Sequence, residues 1–157
     1  MIPESLKPIA ALAVGTAGNV ASTFDWINCA HAQRLFVVAQ VKRAVASKDY
    51  MVAYSARNSA AGGSSEITSG INFWTNTATF DRLVHKTSSN SSTVTASASG
   101  PLLIVAALDL AVLPSSHPWV AFALRSSSQA GNLRAATYYL ESRFGGYQQY
   151  VATTSST

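Results

Sequence analysis

Charged residues are scarce in this sequence. Asp, Glu, Lys and Arg make up 11% of the 157 residues, roughly half the share found in an average soluble domain. Serine, threonine and alanine stand where glutamate and lysine would stand on a freely soluble enzyme. A surface with so little charge favours extensive contact with other protein. The alternative is that serine and threonine hydroxyls solvate the outside of a β-sheet domain.

Cysteine is nearly absent. The one thiol, Cys29, excludes an internal disulfide framework and a zinc site made of several thiolates. It precedes Ala30 and His31, a spacing that matches no nucleophile signature. We therefore expect Cys29 to be a small buried side chain.

Long hydrophobic runs are also missing. The apolar stretch 9–14 is too short to cross a bilayer, and Pro3, Glu4 and Pro8 interrupt its approach. We expect neither a signal peptide nor a membrane segment.

The positive charges are dispersed. The formal net charge is +4, but the basic residues are spread along the chain and form no block with interleaved aromatics. Specific binding to nucleic acid is therefore not expected. A mildly positive surface instead favours docking onto an acidic protein lattice.

Motifs for catalysis and cofactor binding are missing as well. The acidic residues form no close pair of the kind that glycoside hydrolysis requires, and the histidines show no HxH or HExxH spacing. There is no GxSxG elbow, and Gly62 and Gly63 lack the lysine of a phosphate-binding loop. We predict no catalytic residue, no cofactor and no metal. A metal site would have to be assembled from distant loops, and a small hydrolase is kept only as a residual hypothesis.

Short apolar runs separated by Gly, Ser, Asn and Pro dominate the chain, a spacing typical of antiparallel sandwiches and barrels. The runs 119–124 and 134–143 alternate as strands with one core face do. The runs 35–41 and 102–108 are continuously apolar, which predicts strands buried on both faces, with buried helical pieces as the alternative. We predict an all-β antiparallel β-sandwich of about eight strands, at 20–26, 35–41, 50–56, 71–74, 93–97, 102–108, 119–124 and 134–143.

The remaining segments divide the chain. Helix-like spacing predicts one helical turn within 77–86. We predict a β-sandwich domain at 20–144 between an extended N-terminal arm at 1–19 and a C-terminal tail at 145–157. Such ends either fray or gain order by lying on a neighbouring subunit, and the sequence leaves both open.

Aromatic side chains give the clearest functional signal. Several fall on the predicted outer phase of strands or in the tail, where aromatics anchor interfaces or stack on sugars. The alternative is a second packed sheet that covers them, and for Trp74 the two are equally supported. Together with the apolar middle of the N-terminal arm, these aromatics define the predicted interface residues, which are Ile9, Leu12, Trp74, Trp119, Tyr139, Tyr147 and Tyr150.

The order of these features resembles small virion proteins of tailed bacteriophages that act as capsid decoration, or cement, subunits. The resemblance is carried by LKPIAALAVGTAGNV at 6–20, QRLFVVAQV at 33–41, SGINFWTN at 69–76, the segment 81–87, PLLIVAALDLAVL at 101–113 and the segment 131–144. It implies a jelly-roll-like sandwich, no cofactor and a place on the capsid surface. It also implies two partners, the major capsid protein and copies of the chain itself in a homotrimer or another symmetric oligomer. The chain departs from the pattern at LVHKTS, where a more acidic or alanine-rich loop is expected.

Two classes of function follow. The first is a capsid decoration subunit that staples neighbouring capsid subunits, and a tail, neck or baseplate protein is its structural alternative. The second is a module that binds a carbohydrate or a host surface through Trp74, Trp119 and polar loop side chains. Neither class requires an enzyme, a specific nucleic acid or a membrane.

Overall fold

Most of the residues that the structure describes are in β-strands. The computed structural model describes residues 6–17, 22–42, 47–58, 63–76, 82–86, 92–96, 101–126 and 132–142. In these ranges the strands are β1 Leu6–Ala17, β2 Ser22–Thr23, β3 Ile27–Asn28, β4 Ala32–Lys42, β5 Ser47–Ala56, β6 Ser65–Glu66, β7 Ile71–Thr75, β8 Val84–Lys86, β9 Ser92–Ala96, β10 Pro101–Asp109, β11 Trp119–Ser126 and β12 Asn132–Ser142. A 3-10 turn, Leu110–Val112, follows β10.

The strands form two antiparallel sheets. The larger sheet has the order β1-β12-β4-β10-β7-β8. The smaller sheet has β11 and β5 at its centre, with β2 and β3 pairing β11 on one side and β6 and β9 pairing β5 on the other. The predicted all-β antiparallel fold is confirmed.

The strand pairing is nested. The first strand pairs the last (β1 with β12), and β2 and β3 pair β11. Further in, β4 pairs β10 and β5 pairs β9. The chain is therefore one long hairpin whose successive strand pairs lie alternately in the two sheets, with β6, β7 and β8 inserted at its closed end.

The core lies between the sheets. Every second residue of β4, β10 and β12 points inward, and Leu35, Ile104 and Tyr138 are fully buried. Met51 and Phe122 from the smaller sheet belong to the same cluster. Each fully buried side chain of this size contributes roughly 1.5–3 kcal/mol from removal of apolar surface from water.

A break in the strand predicted at 20–26 joins the edges of the two sheets. The Phe24 amide donates to the Phe122 carbonyl of the smaller sheet (2.7 Å), and the Asp25 amide donates to the Ala11 carbonyl of the larger sheet (2.8 Å). Within this segment Phe24 enters the main core, whereas Trp26 enters a second cluster with Ala56 and Ala121. Strand alternation along 20–26 would place Phe24 and Trp26 on one face, and the break separates them.

Tyr138 compensates for that break. The Phe122 carbonyl accepts from the Phe24 amide, and the following amide, that of Asp25, already donates to the larger sheet. The Phe122 amide donates to the Tyr138 hydroxyl, 3.0 Å away. A side chain of one sheet thereby completes the backbone hydrogen bonding of the other, as a buried amide requires.

The segments predicted outside regular strands have several outcomes. Residues 6–17 of the N-terminal arm form β1 along the edge of the larger sheet. In the segment predicted to be a helical turn, Val84–Lys86 is strand β8, so the prediction is wrong there, and residues 77–81 lie outside the described residues. The C-terminal tail at 145–157 also lies outside the described residues. The runs 35–41 and 102–108 are strands, as predicted, but the prediction that both of their faces are buried is wrong. Their outward side chains are partly or fully exposed, because only the inward face meets the core.

Asn76 ends the pairing of β7 with β10. Its backbone amide donates to the Leu103 carbonyl (3.2 Å), and its side-chain Oδ1 accepts from the Leu103 amide (2.6 Å). The side-chain oxygen takes the place of a strand carbonyl, so the Leu103 amide keeps an acceptor at the end of β7.

The Asn76→Ala variant is therefore expected to lower the free energy of unfolding by at least about 1 kcal/mol, because the Leu103 amide loses its acceptor. Asn72→Ala, on the exposed face of the same strand, is the matched control and should change stability by less than about 0.5 kcal/mol. Urea denaturation of both variants measures the difference. Equal losses would contradict the role assigned to the Asn76 side chain.

Candidate protein interface

The outward face of the larger sheet is apolar across four neighbouring strands. Strand pairing places Tyr139, Phe36 and Ala107 in one row. The next row is Thr137, Val38, Val105 and Trp74. We call this surface the outer face, and its members are Phe36, Val38, Trp74, Leu103, Val105, Ala107, Ala135, Thr137 and Tyr139, all of which are partly exposed.

This composition is unusual for a sheet face that meets water. An antiparallel sheet with one solvated side normally alternates apolar inward and polar outward residues. On β4 the outward phase runs from Arg34 through the apolar side chains of Phe36 and Val38 and becomes polar again at Gln40. No described strand lies over this face, since the smaller sheet packs on the opposite side. A contiguous apolar surface with a polar rim is typical of a protein-binding site.

Charge is confined to the two ends of the outer face. At one end Arg34 lies between Glu141 on β12 and Asp109 on β10. At the other end the outward phase of β4 finishes at Lys42. Oε2 of Glu141 is buried and has no hydrogen-bond partner among the described residues. An approaching cation would therefore be favourable near this carboxylate.

Two of the predicted interface residues lie together on the outer face. Tyr139 neighbours Phe36, and Trp74 neighbours Val105 one row further along the strands. The Trp74 ring also packs against the His85 ring, with centroids 5.3 Å apart. For Trp74, the alternative of core packing is wrong, because Phe73 and Thr75 take the buried phase of β7.

The other predicted interface residues lie elsewhere. Ile9 is half-buried and packs against the main core. Leu12 pairs with Ala136 through its backbone, and its side chain lies outside the description. Tyr147 and Tyr150 are not among the described residues.

Trp119 belongs to a smaller aromatic cluster on the outside of the smaller sheet. Its neighbour across the strands is Ala56, and Tyr54 faces Ala121 in the next row. Trp119 and Tyr54 pack partly exposed against Trp26 and these alanines, and Trp26 itself is buried. This cluster offers two partly exposed rings.

Sequence reasoning missed the centre of the outer face. Phe36, Val38 and Val105 fall in the two continuously apolar runs, whose second apolar phase was assigned to burial. The sequence did contain a signal for this surface. A strand that is apolar on both faces must bury both of them, so the outward face of each run needed a packing partner. The chain places two such strands side by side.

The described histidines lie far apart on the chain's elements. His31 lies in a turn, His85 on β8 and His117 before β11, where its Nδ1 lies 2.9 Å from the Ser116 hydroxyl. Within the described ranges no group of three or more His, Cys, Asp or Glu side chains could hold a metal ion.

Cys29 is buried, as the sequence predicts, and burial raises the pKa of its thiol well above the usual value of about 8.5. The denatured chain therefore loses this proton at a lower pH than the folded chain. The stability contributed by the neutral thiol is complete below about pH 8 and falls as the pH rises, by up to roughly 1.4 kcal/mol per pH unit.

The pH dependence of stability can be tested by measuring urea midpoints for the parent chain and for Cys29→Ala. The measurements should run from pH 7 to 10, a range that brackets the pKa of a free thiol. The parent chain should lose stability more steeply above about pH 8.5 than the variant. Parallel curves would contradict the burial of a neutral thiol at this position.

The fold and the outer face together define a class, an all-β protein of two packed antiparallel sheets with an apolar surface on the outside of one of them. No protein-family model, curated protein or solved structure matches the chain. In the described part of the chain, no helix is long and apolar enough to span a membrane.

Proposed function

We propose that the chain is a virion structural protein, a capsid decoration subunit that binds the shell and stabilises it. The observation that carries this proposal is the outer face, an uncharged apolar surface spanning β12, β4, β10 and β7. A protein that works alone gains nothing from such a surface and is exposed to aggregation by it. A subunit of an assembly buries it.

The nested strand pairing supports the proposal. A chain folded as one long hairpin across two sheets supports the jelly roll that the resemblance implies, an architecture found in viral capsid and lectin domains. Proteins that share a fold can differ in function, so the nested strand pairing supports the proposal by analogy alone. The outer face supports it separately, as a surface suited to binding other protein.

The mechanism is mechanical. Apolar contacts exclude water between the decoration subunit and its neighbours, and the few charges on the surface impose little desolvation cost when it is covered. Subunits placed at junctions between capsomers resist the outward pressure of the packaged genome. The chain ends supply further contacts by lying on neighbouring subunits.

Co-sedimentation with capsid shells that lack the chain tests the proposal. Because β1 begins at Leu6 and β12 ends at Ser142, variants lacking residues 1–5 or 145–157 keep every described strand. At least one truncation should abolish binding to the shells while leaving the urea midpoint unchanged. Failure of the parent chain to bind, or full binding by both truncated chains, would contradict the proposal.

A second candidate function is the binding of a carbohydrate or host surface, favoured by the Trp119 cluster. Trp119 and Tyr54 present two partly exposed rings beside one another on the outside of the smaller sheet. Aromatic rings stack on the apolar faces of sugars. Glycan-array binding that is lost in Trp119→Ala and kept in Trp74→Ala would assign the chain to this function.

A further inference from the structure

We propose that the outer face joins two copies of this chain, packed face to face with their β4 strands antiparallel. This inference rests on the proposed function in assembly, and it names a second copy of the chain as the partner that covers the outer face. Its physical basis is the size of the face, its shape and the position of its charges.

The size of the face fits a stable dimer. With about 4.8 Å between strands and 3.3 Å per residue, the outward sides of β12, β4, β10 and β7, which hold the outer face and its charged ends, together cover on the order of 600 Å² per copy before side-chain relief is counted. A standard protein interface buries about 800 Å² per partner. A second copy would use nearly the whole face.

The shape of the face fits another sheet. Sheets pack face to face at about 10 Å with their strands within about 30° of one another, by interdigitating side chains of medium size. The two central rows provide such side chains, from Phe36 and Val38 to Val105. A second copy presents the same pleated surface, so the contact is closed by a two-fold axis and does not propagate.

The charges select the antiparallel arrangement. Arg34 and Lys42 lie at equal distances along β4 on either side of Val38. A two-fold axis over Val38 and perpendicular to the strands brings Lys42 of each copy over the other copy's row of Glu141, Arg34 and Asp109. An axis parallel to the strands would set the two Lys42 ends against each other and the two net-negative rows of Glu141, Arg34 and Asp109 against each other, which like-charge repulsion disfavours.

The angle between packed sheets improves this pairing. Over the four residues from Val38 to Lys42, a rotation of about 30° displaces the strand end sideways by roughly 6 Å, little more than one strand spacing. Lys42 then stands over a carboxylate, Glu141 or Asp109, in place of Arg34. Two such contacts form in each dimer, one at either end.

Sedimentation velocity of the purified full chain over a wide concentration range is the first test. We expect a monomer–dimer equilibrium. Val38→Lys places two cations on the axis and should weaken association at least about a hundredfold. Val112→Lys, at an exposed position on the 3-10 turn outside this face, is the matched control and should leave association unchanged.

A charge swap keeps the test valid if Val38→Lys perturbs folding. Lys42→Glu alone and Glu141→Lys alone should each weaken the dimer about tenfold, because each sets like charges against one another at both ends. The double variant should restore affinity to within about threefold of the parent. Arg57→Glu, an exposed charge reversal after β5, should have no effect.

A full chain that stays monomeric overturns the inference, as does a dimer insensitive to Val38→Lys or a swap without rescue. Dimerisation seen only in a chain ending at Ser142 would assign the face to residues 143–157 and would also overturn it. Particle binding is measured separately. A monomer that still binds shells refutes this inference alone, and a dimer that binds no shells refutes the proposed function alone.

Discussion

Replacing Tyr138 with alanine is expected to lower the free energy of unfolding by about 3–5 kcal/mol, the range for removing a large aromatic side chain from a core. The Tyr138 side chain is fully buried, and its ring packs against Phe24 and Phe122 with centroids 6.3 and 6.2 Å apart. The substitution removes these contacts and leaves the Phe122 amide without its acceptor. Urea denaturation followed by tryptophan fluorescence measures the loss.

The contribution of the Tyr138 hydroxyl to stability can be measured separately from that of the ring. Tyr138→Phe keeps the packing and removes only the acceptor of the Phe122 amide, so about 1–3 kcal/mol should be lost. Tyr139→Phe makes the same chemical change one residue further on, on the partly exposed outer face, and should cost less than about 0.5 kcal/mol. Equal effects of the two substitutions would show that the hydroxyl of Tyr138 does not join the sheets.

The second large effect is expected at Gly70. Its φ is +74°, in the left-handed region, and a Cβ there would lie 2.7 Å from Cγ1 and 3.0 Å from Cγ2 of Val112. Gly70→Ala should therefore cost about 1–2 kcal/mol for the backbone conformation and about 1 kcal/mol more for the contact with Val112.

Gly63 provides the control for the backbone part of this cost. Its φ is +77°, and a Cβ would meet nothing within 4 Å. Gly63→Ala should thus lose only the conformational part, and Gly70→Ala combined with Val112→Ala should fall towards the same value. A Gly70→Ala variant as stable as Gly63→Ala would show that the 3-10 turn yields to the added methyl group without cost.

The strands with long apolar runs could be predicted from the sequence, because a β-strand needs only a local pattern of side chains. The core phase of β12, with Ala136, Tyr138 and Leu140 inward, followed from alternation alone. The break after Phe24 could not be predicted, because it depends on backbone partners at Ala11 and Phe122 that are far away in the chain.

The strand β1 was hidden for a similar reason. Its Pro8 and Gly15 argue against a central strand, but an edge strand tolerates proline and bulges tolerate glycine. The register of β1 against β12 shifts between Ala10 and Leu12 and again between Leu12 and Gly15. The segment forms a strand because it pairs with β12, and that pairing is not visible in the local sequence.

The candidate interface, too, could be predicted only in part from the sequence. Trp74 and Tyr139 could be chosen from their aromatic character and strand phase. The apolar side chains between them, on β4 and β10, could not be assigned to the same surface without the pairing of Val38 with Val105 and Thr137. Composition indicates that a surface of this kind exists, and strand register locates it.

Electron cryo-microscopy of particles assembled with and without the chain shows directly whether the chain decorates the capsid. We expect added density on the outside of the capsid shell, into which the two-sheet domain fits and which is absent from particles that lack the chain. Identical shells, or density for the domain only at the tail or neck, would contradict a role in capsid decoration.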